Sequence, residues 1–380
     1  MSDVGLHASL LTLDGHLDAP VHFTRAGWSF GDRHHHPTDI AQVDLPRMAA
    51  GHLSGGFFVV YTPQGPLAAA GYDAAFAHAL RRSDEIDAML AANPRAIGAA
   101  TCADDAVRLH RDGRSIAFRS MENSYPVGED LGRLSTFADR GVRLAGPVHV
   151  RANQLSDSAT DKPRWHGLSP LGRAWVAEMN RLGMVVDPSH ASDEAFDQLL
   201  SLSATPLFLS HSGSRACFNS PRNLDDARLR ALADAGGVIG FTTVFLSPMR
   251  AGAERLALMN RLSRIGTLSP GEQDDLSARW RALDVAEPMW SADLDTYMAA
   301  LCHVIDVAGI DHVAFGADFD GGGGIAGVED VTALPRITER LQTAGLANTD
   351  IAKLWSGNIL RVLRTAERAA EPDPRRVDHA

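Results

Sequence analysis

The chain is expected to fold as a (β/α)8 TIM barrel, an α/β architecture of eight parallel strands ringed by helices. Three observations lead there. Eight short apolar or β-branched runs alternate with longer helical patterns along the 380 residues. Nearly every run ends in a histidine or a carboxylate, and active-site groups of such barrels come from strand C-termini. The first run is followed by "DGHLDAP" rather than the Gly-rich ligand turn of a doubly wound open sheet.

The runs are "LLTLDGHLD" (10–18), "SGGFFVVYT" (54–62), "SIAFRSME" (115–122), "VRLAGPVH" (142–149), "MVVDPSH" (184–190), "PLFLSHS" (206–212), "GVIGFTTV" (237–244) and "HVAFGADFD" (312–320). Between them lie helical patterns. One puts Phe76, Ala79, Leu80, Ile86 and Leu90 on one face and stops at Asn93-Pro94. Another opens with Ser169 as N-cap and Pro170 at N1 and ends at Gly183. Others cover 193–202, 224–235, 293–308 and 330–344. Residues 24–50 read as a loop after the first strand. Residues 245–291 read as a helical insert between strands seven and eight, a lid or a dimer contact. A single catalytic domain is expected over 1–367, with a disordered tail over 368–380.

Composition narrows the function. A net charge of −11 argues against a nucleic-acid or anionic-membrane surface. Three dispersed cysteines without a CxxC suit a reducing compartment, and no signal or membrane-spanning stretch is visible. A soluble cytoplasmic protein is expected, with a homodimer as one possible assembly. Motifs for nucleophilic serine, zincin and P-loop chemistry are missing.

The strand ends collect His16 and Asp18, Glu122, His149, Asp187 and His190, His211, and Asp318 and Asp320. Side chains at i and i+2 of a strand share a face, so His16 and Asp18 can grip one cation. Mixed imidazole–carboxylate sets suit zinc, and two-metal sites activate water for hydrolysis. A carboxylated lysine bridge is excluded, because Lys162 and Lys353 are the only lysines and neither ends a strand. Glu122 remains as the bridging candidate.

These residues resemble the membrane (renal) dipeptidases of the metal-dependent amidohydrolase superfamily. The resemblance runs from "DGHLD" to about residue 360 and is carried by several blocks. They include "QVDLPRMAAG" (42–51), "GVRLAGPVHVRANQLSDS" (141–158), "HGLSPLGRAWVAEMNRLGMVVDPSH" (166–190), "LFLSHSGSRA" (207–216), "SPRNLDD" (220–226), "GGVIGF" (236–241) and "VIDVAGIDHVAFGADFDG" (304–321). It implies two zinc ions, one held by His16, Asp18 and Glu122, the other by Glu122, His190 and His211. It also implies that His149 polarises the scissile carbonyl, that Arg222 pairs with the substrate's C-terminal carboxylate, and that Asp318 is the general base acting on a metal-bridging water. The implied activity is hydrolysis of dipeptides, with D-residues tolerated on the C-terminal side. Departures from the family pattern at Leu17, Asn123 and Val150 are expected at the substrate rim. They leave room for two rivals: a hydrolase of a specialised amide or peptide natural product, and a metal-binding barrel without turnover.

Several features are set aside. His34, His35 and His36 read as a solvated or lid loop. "DGGGG" (320–324) reads as a turn letting the backbone pass close to the site. Asp320 is expected to face the same way as Asp318 without ligating, and Asp187 to orient a ligand histidine. Tyr125 and Trp165 are either pocket or packing residues. The cysteines have no base nearby in sequence.

Overall fold

The computed structural model describes residues 4–35 and 38–370. Its strands are β1 (Leu13–Leu17), β2 (Gly55–Tyr61), β3 (Ile97–Ala99), β4 (Ser115–Glu122), β5 (Val142–Ala145), β6 (Val185–Val186), β7 (Phe208–Ser212), β8 (Val238–Phe241) and β9 (Val313–Phe315). They pair in parallel as β1-β2-β4-β5-β6 and as β7-β8-β9. Eight strands match the eight expected runs. The ninth, β3, pairs with Ser115–Ala117 of β4, while β5 pairs with the same strand from Arg119 onward. The two share one edge of β4 end to end, so the barrel keeps eight staves.

The two sheets meet at two seams, and a buried carboxylate spans each. Between β9 and β1, Asp14 Oδ1 accepts from Ala317 N and His16 N at 3.0 Å each. Asp18 N reaches Phe319 O at 2.9 Å. Between β6 and β7, Asp187 Oδ1 accepts from Ser189 N and Ser210 N, also at 3.0 Å each. Buried N–H groups left without ladder partners are costly, and these side chains satisfy them.

Inside the barrel, Leu13, Phe57, Ile116, Phe118, Leu144, Val185, Phe208, Val238 and Ala314 form one cluster drawing on all eight staves. Phe57 stacks on Phe118 with centroids 5.0 Å apart and meets Phe208 at 6.1 Å. Ile359, Val362, Leu363 and Ala366 of the helix Asn358–Ala369 belong to the same cluster and close the N-terminal end. The chemistry-bearing end is therefore the opposite one.

Four details differ from expectation. The strands that carry His149, His190 and Asp318 end at Ala145, Val186 and Phe315, so those residues sit on turns. Beyond these points backbone donors go to side chains such as Asp14 and Asp187, and the ladder stops. The loop over 24–50 contains the helix Leu45–Ala50, capped by Asp44, which accepts from Arg47 N. The helix Ala69–Ala92 buries Tyr72, Ala75, Ala79, Ile86 and Met89, leaving Phe76, Leu80 and Leu90 only partly covered at the flank. The last helix continues through Ala369, past the expected start of the tail at 368; residues 371–380 lie outside the described residues.

The insert holds the helices Ala253–Leu262 and Pro270–Ala286. Its Leu258, Ile265 and Leu276 form a small core with Ile40 from the loop after β1. Among the described residues, no helix is long and apolar enough to cross a membrane.

His7, in the helix Val4–Ser9, ties the N-terminus to the barrel. Its Nδ1 lies 2.7 Å from Thr338 Oγ1, its Nε2 lies 3.1 Å from Gly51 O, and its ring is edge-on to Trp355. Burial pushes its pKa from 6.5 down to about 4. The unfolded chain takes up this proton near pH 6.5 and the folded chain does not. Stability linked to His7 is thus complete above pH 6.5 and is lost as pH falls from 6.5 toward 4, reaching about 3 kcal/mol. A His7→Gln variant is expected to show a flatter fall of stability than wild type in urea unfolding from pH 7 to 4. Equal slopes would refute the assignment.

Candidate metal centre and active site

The chemistry-bearing side chains converge at the C-terminal end of the strands. His16 lies in β1, where the register against β2 shifts between Asp14 and Leu17. His211 lies in β7, where the register against β8 shifts between Leu209 and Ser212. Such irregularities re-aim side chains beside active sites. Glu122 is the last residue of β4. Asp18 is the first residue beyond β1, so a turn as well as strand alternation brings it to His16. Asp318 has φ +63°, Asn123 +68° and Asp320 +66°, strained values for residues other than glycine.

The distances define one cluster. His16 Nε2 lies 3.4 Å from Asp18 Oδ2, 3.7 Å from Glu122 Oε2 and 4.0 Å from Asp318 Oδ1. Glu122 Oε1 lies 2.8 Å from His190 Nε2, 3.5 Å from His211 Nε2 and 3.6 Å from His149 Nε2. His190 and His211 bring their Nε2 atoms to 3.0 Å. The two oxygens of Glu122 thus face two different sets of donors. Three triads could each hold an ion: His16/Asp18/Glu122, Glu122/His149/His190 and His16/His211/Asp318. His16 Nε2 is buried with no hydrogen-bond partner among the described residues, as a nitrogen reserved for a cation would be. The donors, imidazole nitrogen and carboxylate oxygen, suit zinc and its neighbours.

The electrostatics fit the same picture. Burial pushes the carboxyls of Asp18 and Asp318 up, and Glu122 beside them adds to the effect. Burial also drives His190 and His211 well below the ordinary histidine range, leaving neutral rings free to ligate. Burial pulls His149 down too, against the pull of Glu122. Burial opposes the charge on His16, yet Glu122 and Asp18 outweigh it and hold the ring well above the usual range. Without a cation the clustered carboxylates are balanced by protons, on the His16 ring and on the carboxyls of Asp18 and Asp318, and a bound cation removes that need.

Arg222 follows β7 in the segment 220–222. Its guanidinium is buried, with Nε and Nη1 unpartnered among the described residues and Nη2 at 3.4 Å from His211 O. It sits 5.4 Å from the Phe245 ring, and burial lowers its pKa to about 10. A cation this dry without a partner is unfavourable and is suited to receiving an anion.

All eight predicted site residues are therefore close neighbours. The Gly-rich turn behaves as expected: a Cβ on Gly321 would collide with the carboxylates of both Asp18 and Asp318. Asp320 departs from expectation. It turns away from Asp318 to accept from Gln42 N at 2.7 Å and to meet His22 Nε2 at 3.2 Å. Both aspartates lie past β9 with positive φ, so strand alternation does not govern them. Tyr125 is fully buried and donates to Pro66 O, a packing role. Trp165 is partly covered and donates to Asn153 O. His34 stacks on Trp28 and hydrogen-bonds Ser29 O, away from the cluster; His36 lies outside the described residues. Burial raises all three cysteine thiols, against a thiolate role.

The three departures differ in place. Leu17 is in the core rather than at the rim. Asn123 tolerates its left-handed backbone and bonds Thr62 O, Tyr125 N and Asn153 Nδ2. Val150 is exposed. Asn123 and Val150, with Tyr61, Gln64, His149 and Arg151, line a cavity of about 130 Å³.

Sequence reasoning missed the supports. Thr243 Oγ1 donates to Ala317 O at 2.7 Å and accepts from Gly324 N, bracing the turn that carries Asp318. Trp290, at the end of the insert, donates to Gly322 O, and Gln42 Nε2 donates to Gly323 O. Gln42 opens the "QVDLPRMAAG" block and Thr243 falls in the seventh run, yet neither pattern records these contacts, which only the fold brings about.

Comparison with known proteins agrees with this fold. The profile of the membrane dipeptidase family (peptidase family M19) matches residues 3–376. Dipeptidase tcpJ of Claviceps purpurea is 30% identical over 366 residues, covering 94% of this chain and 77% of its own. The probable dipeptidase PvdM from Pseudomonas aeruginosa superposes with a TM-score of 0.82 at 30% identity, over 97% of this chain and 98% of that one. A metallo peptidase from Rhodobacter sphaeroides, liganded with a phosphinate mimic of the dipeptide L-Ala-D-Ala, superposes with a TM-score of 0.74 at 26% identity, over 94% and 99%. The chain belongs to the membrane dipeptidase family, peptidase family M19, whose members are metallo-dipeptidases on a TIM-barrel fold.

Proposed function

We propose that this chain is a binuclear zinc dipeptidase. One ion is held by His16, Asp18 and Glu122, the other by Glu122, His190 and His211. The observation that carries this reading is the placement of Glu122, whose two oxygens face separate donor sets. Two zinc ions would supply Lewis acidity and a water nucleophile that deprotonates near neutral pH.

The chain's own residues do the rest. Arg222 receives the substrate's C-terminal carboxylate through its free Nε and Nη1, a bidentate task that suits the guanidinium fork. That anchor favours a substrate ending in a free carboxylate. His149, neutral and at the edge of the cluster, donates its N–H to the carbonyl oxygen as negative charge develops there. Asp318 takes the proton of the attacking water and passes it to the leaving nitrogen. A D-residue on the C-terminal side is tolerated in this reading, which the L-Ala-D-Ala mimic held by the Rhodobacter sphaeroides relative supports.

The primary test is hydrolysis of a dipeptide panel, with L- or D-residues at the C-terminal position. Zinc-loaded protein should cleave, chelated protein should not, and added zinc should restore the rate. Zinc-loaded protein that binds two ions yet cleaves none of the panel would move the activity to a specialised amide or to binding. Asp318→Asn is expected to keep both zinc ions and lose roughly 10²–10⁴-fold in kcat; near-wild-type turnover would remove Asp318 from proton transfer. Arg222→Met is expected to lose roughly 10²-fold in kcat/KM, mostly through KM, as a charged hydrogen-bonded pair disappears. An unchanged KM would show that the substrate carboxylate binds elsewhere.

A further inference from the structure

We propose that Ser210 is a positioning residue shared by both halves of the metal site, with its single hydroxyl holding His16 and His211 together. The proposal rests on the two-zinc reading above, in which these histidines serve different ions.

Ser210 is fully buried. Its Oγ lies 3.1 Å from His16 Nδ1, 2.8 Å from His211 Nδ1 and 2.5 Å from Asp187 Oδ2. A hydroxyl has one proton to donate and two lone pairs. Asp187 can only accept: its Oδ1 already takes Ser189 N, Ser189 Oγ and Ser210 N. The Ser210 proton therefore goes to Asp187 Oδ2. Both lone pairs are left, and each accepts one Nδ1–H. This sets both imidazoles in the Nδ1–H tautomer and leaves both Nε2 lone pairs facing the cluster.

Adjacent residues of a regular strand point to opposite faces. Ser210 and His211 meet only because the register of β7 against β8 shifts between Leu209 and Ser212. The His16 and His211 rings sit 3.9 Å apart, as one shared anchor requires. His190 differs, since its Nδ1 has no hydrogen-bond partner among the described residues. Removing the Ser210 hydroxyl should therefore loosen one histidine in each donor set. The two zinc affinities are expected to fall together, roughly 10–100-fold each, the usual effect of losing a residue that orients a ligand histidine.

The test is zinc titration of metal-free protein against a chromophoric chelator, with circular dichroism as a check on folding. Wild type should take two ions. Ser210→Ala should remain folded and lose affinity at both sites, and Ser210→Thr, which keeps a hydroxyl, should recover most of it. Loss at one site only, or at neither, overturns the shared anchor while leaving two-zinc binding intact. Wild type that takes fewer than two ions overturns the two-zinc reading itself, and the coupling with it. A second measurement needs no variant. In histidine-labelled, zinc-loaded wild type, ¹⁵N NMR should show His16 and His211 both as Nδ1–H tautomers; an Nε2–H signal from either ring rejects the arrangement even if Ser210→Ala does not fold.

Discussion

The structure depends on two buried carboxylates that close the barrel where its backbone ladders stop. Asp14 joins β9 to β1, and Asp187 joins β6 to β7. Each also holds the backbone or side chains from which metal-binding groups project. Asp14 receives the amide of His16, and Asp187 receives the hydroxyl that touches His16 and His211. Closing the fold and aiming the donors are the same set of hydrogen bonds. A barrel closed by continuous ladders would leave fewer free backbone groups at these strand ends and less freedom to turn side chains inward.

The space above the Phe57, Phe118 and Phe208 floor is dry and crowded with charge. Asp18, Glu122 and Asp318 lie within reach of four histidines and one arginine; burial pushes the carboxyls of Asp18 and Asp318 up and the Arg222 pKa down, while against burial His149 and His16 hold Glu122 well below the usual carboxylate range. Such a cluster is unfavourable to the empty protein, because low-dielectric surroundings penalise each unpaired charge. Cations among the carboxylates and an anion beside Arg222 would relieve that penalty. Site residues are thus held in a state that favours occupancy, a common balance between stability and activity.

Asp318 shows the same economy in its backbone. It takes a left-handed conformation on a turn of glycines, braced by Thr243, Trp290 and Gln42 from three separate parts of the chain. Gly321 lies where any side chain would strike two carboxylates. The insert and the loop after β1 share a small core and both reach this turn. Their visible contribution is to hold the turn that carries Asp318 in place.

The amino-acid sequence by itself determined the barrel, because alternation of short apolar runs and helical patterns is local and repeats eight times. It also placed the pool of candidate donors, since His16, Asp18, Glu122, His149, Asp187, His190, His211, Asp318 and Asp320 fall at the ends of those runs; the family resemblance singled out five of them as ligands. Tertiary structure alone decided three things. The ladders end early, putting His149, His190 and Asp318 on turns, because backbone donors there are claimed by side chains distant in sequence. Asp320 turns away from Asp318 because positive φ at both residues breaks the two-residue alternation. Ser210 and His211 share a side of β7 because a register shift overrides the strand period. Each of these follows from hydrogen bonds between segments tens to hundreds of residues apart, which no local pattern records.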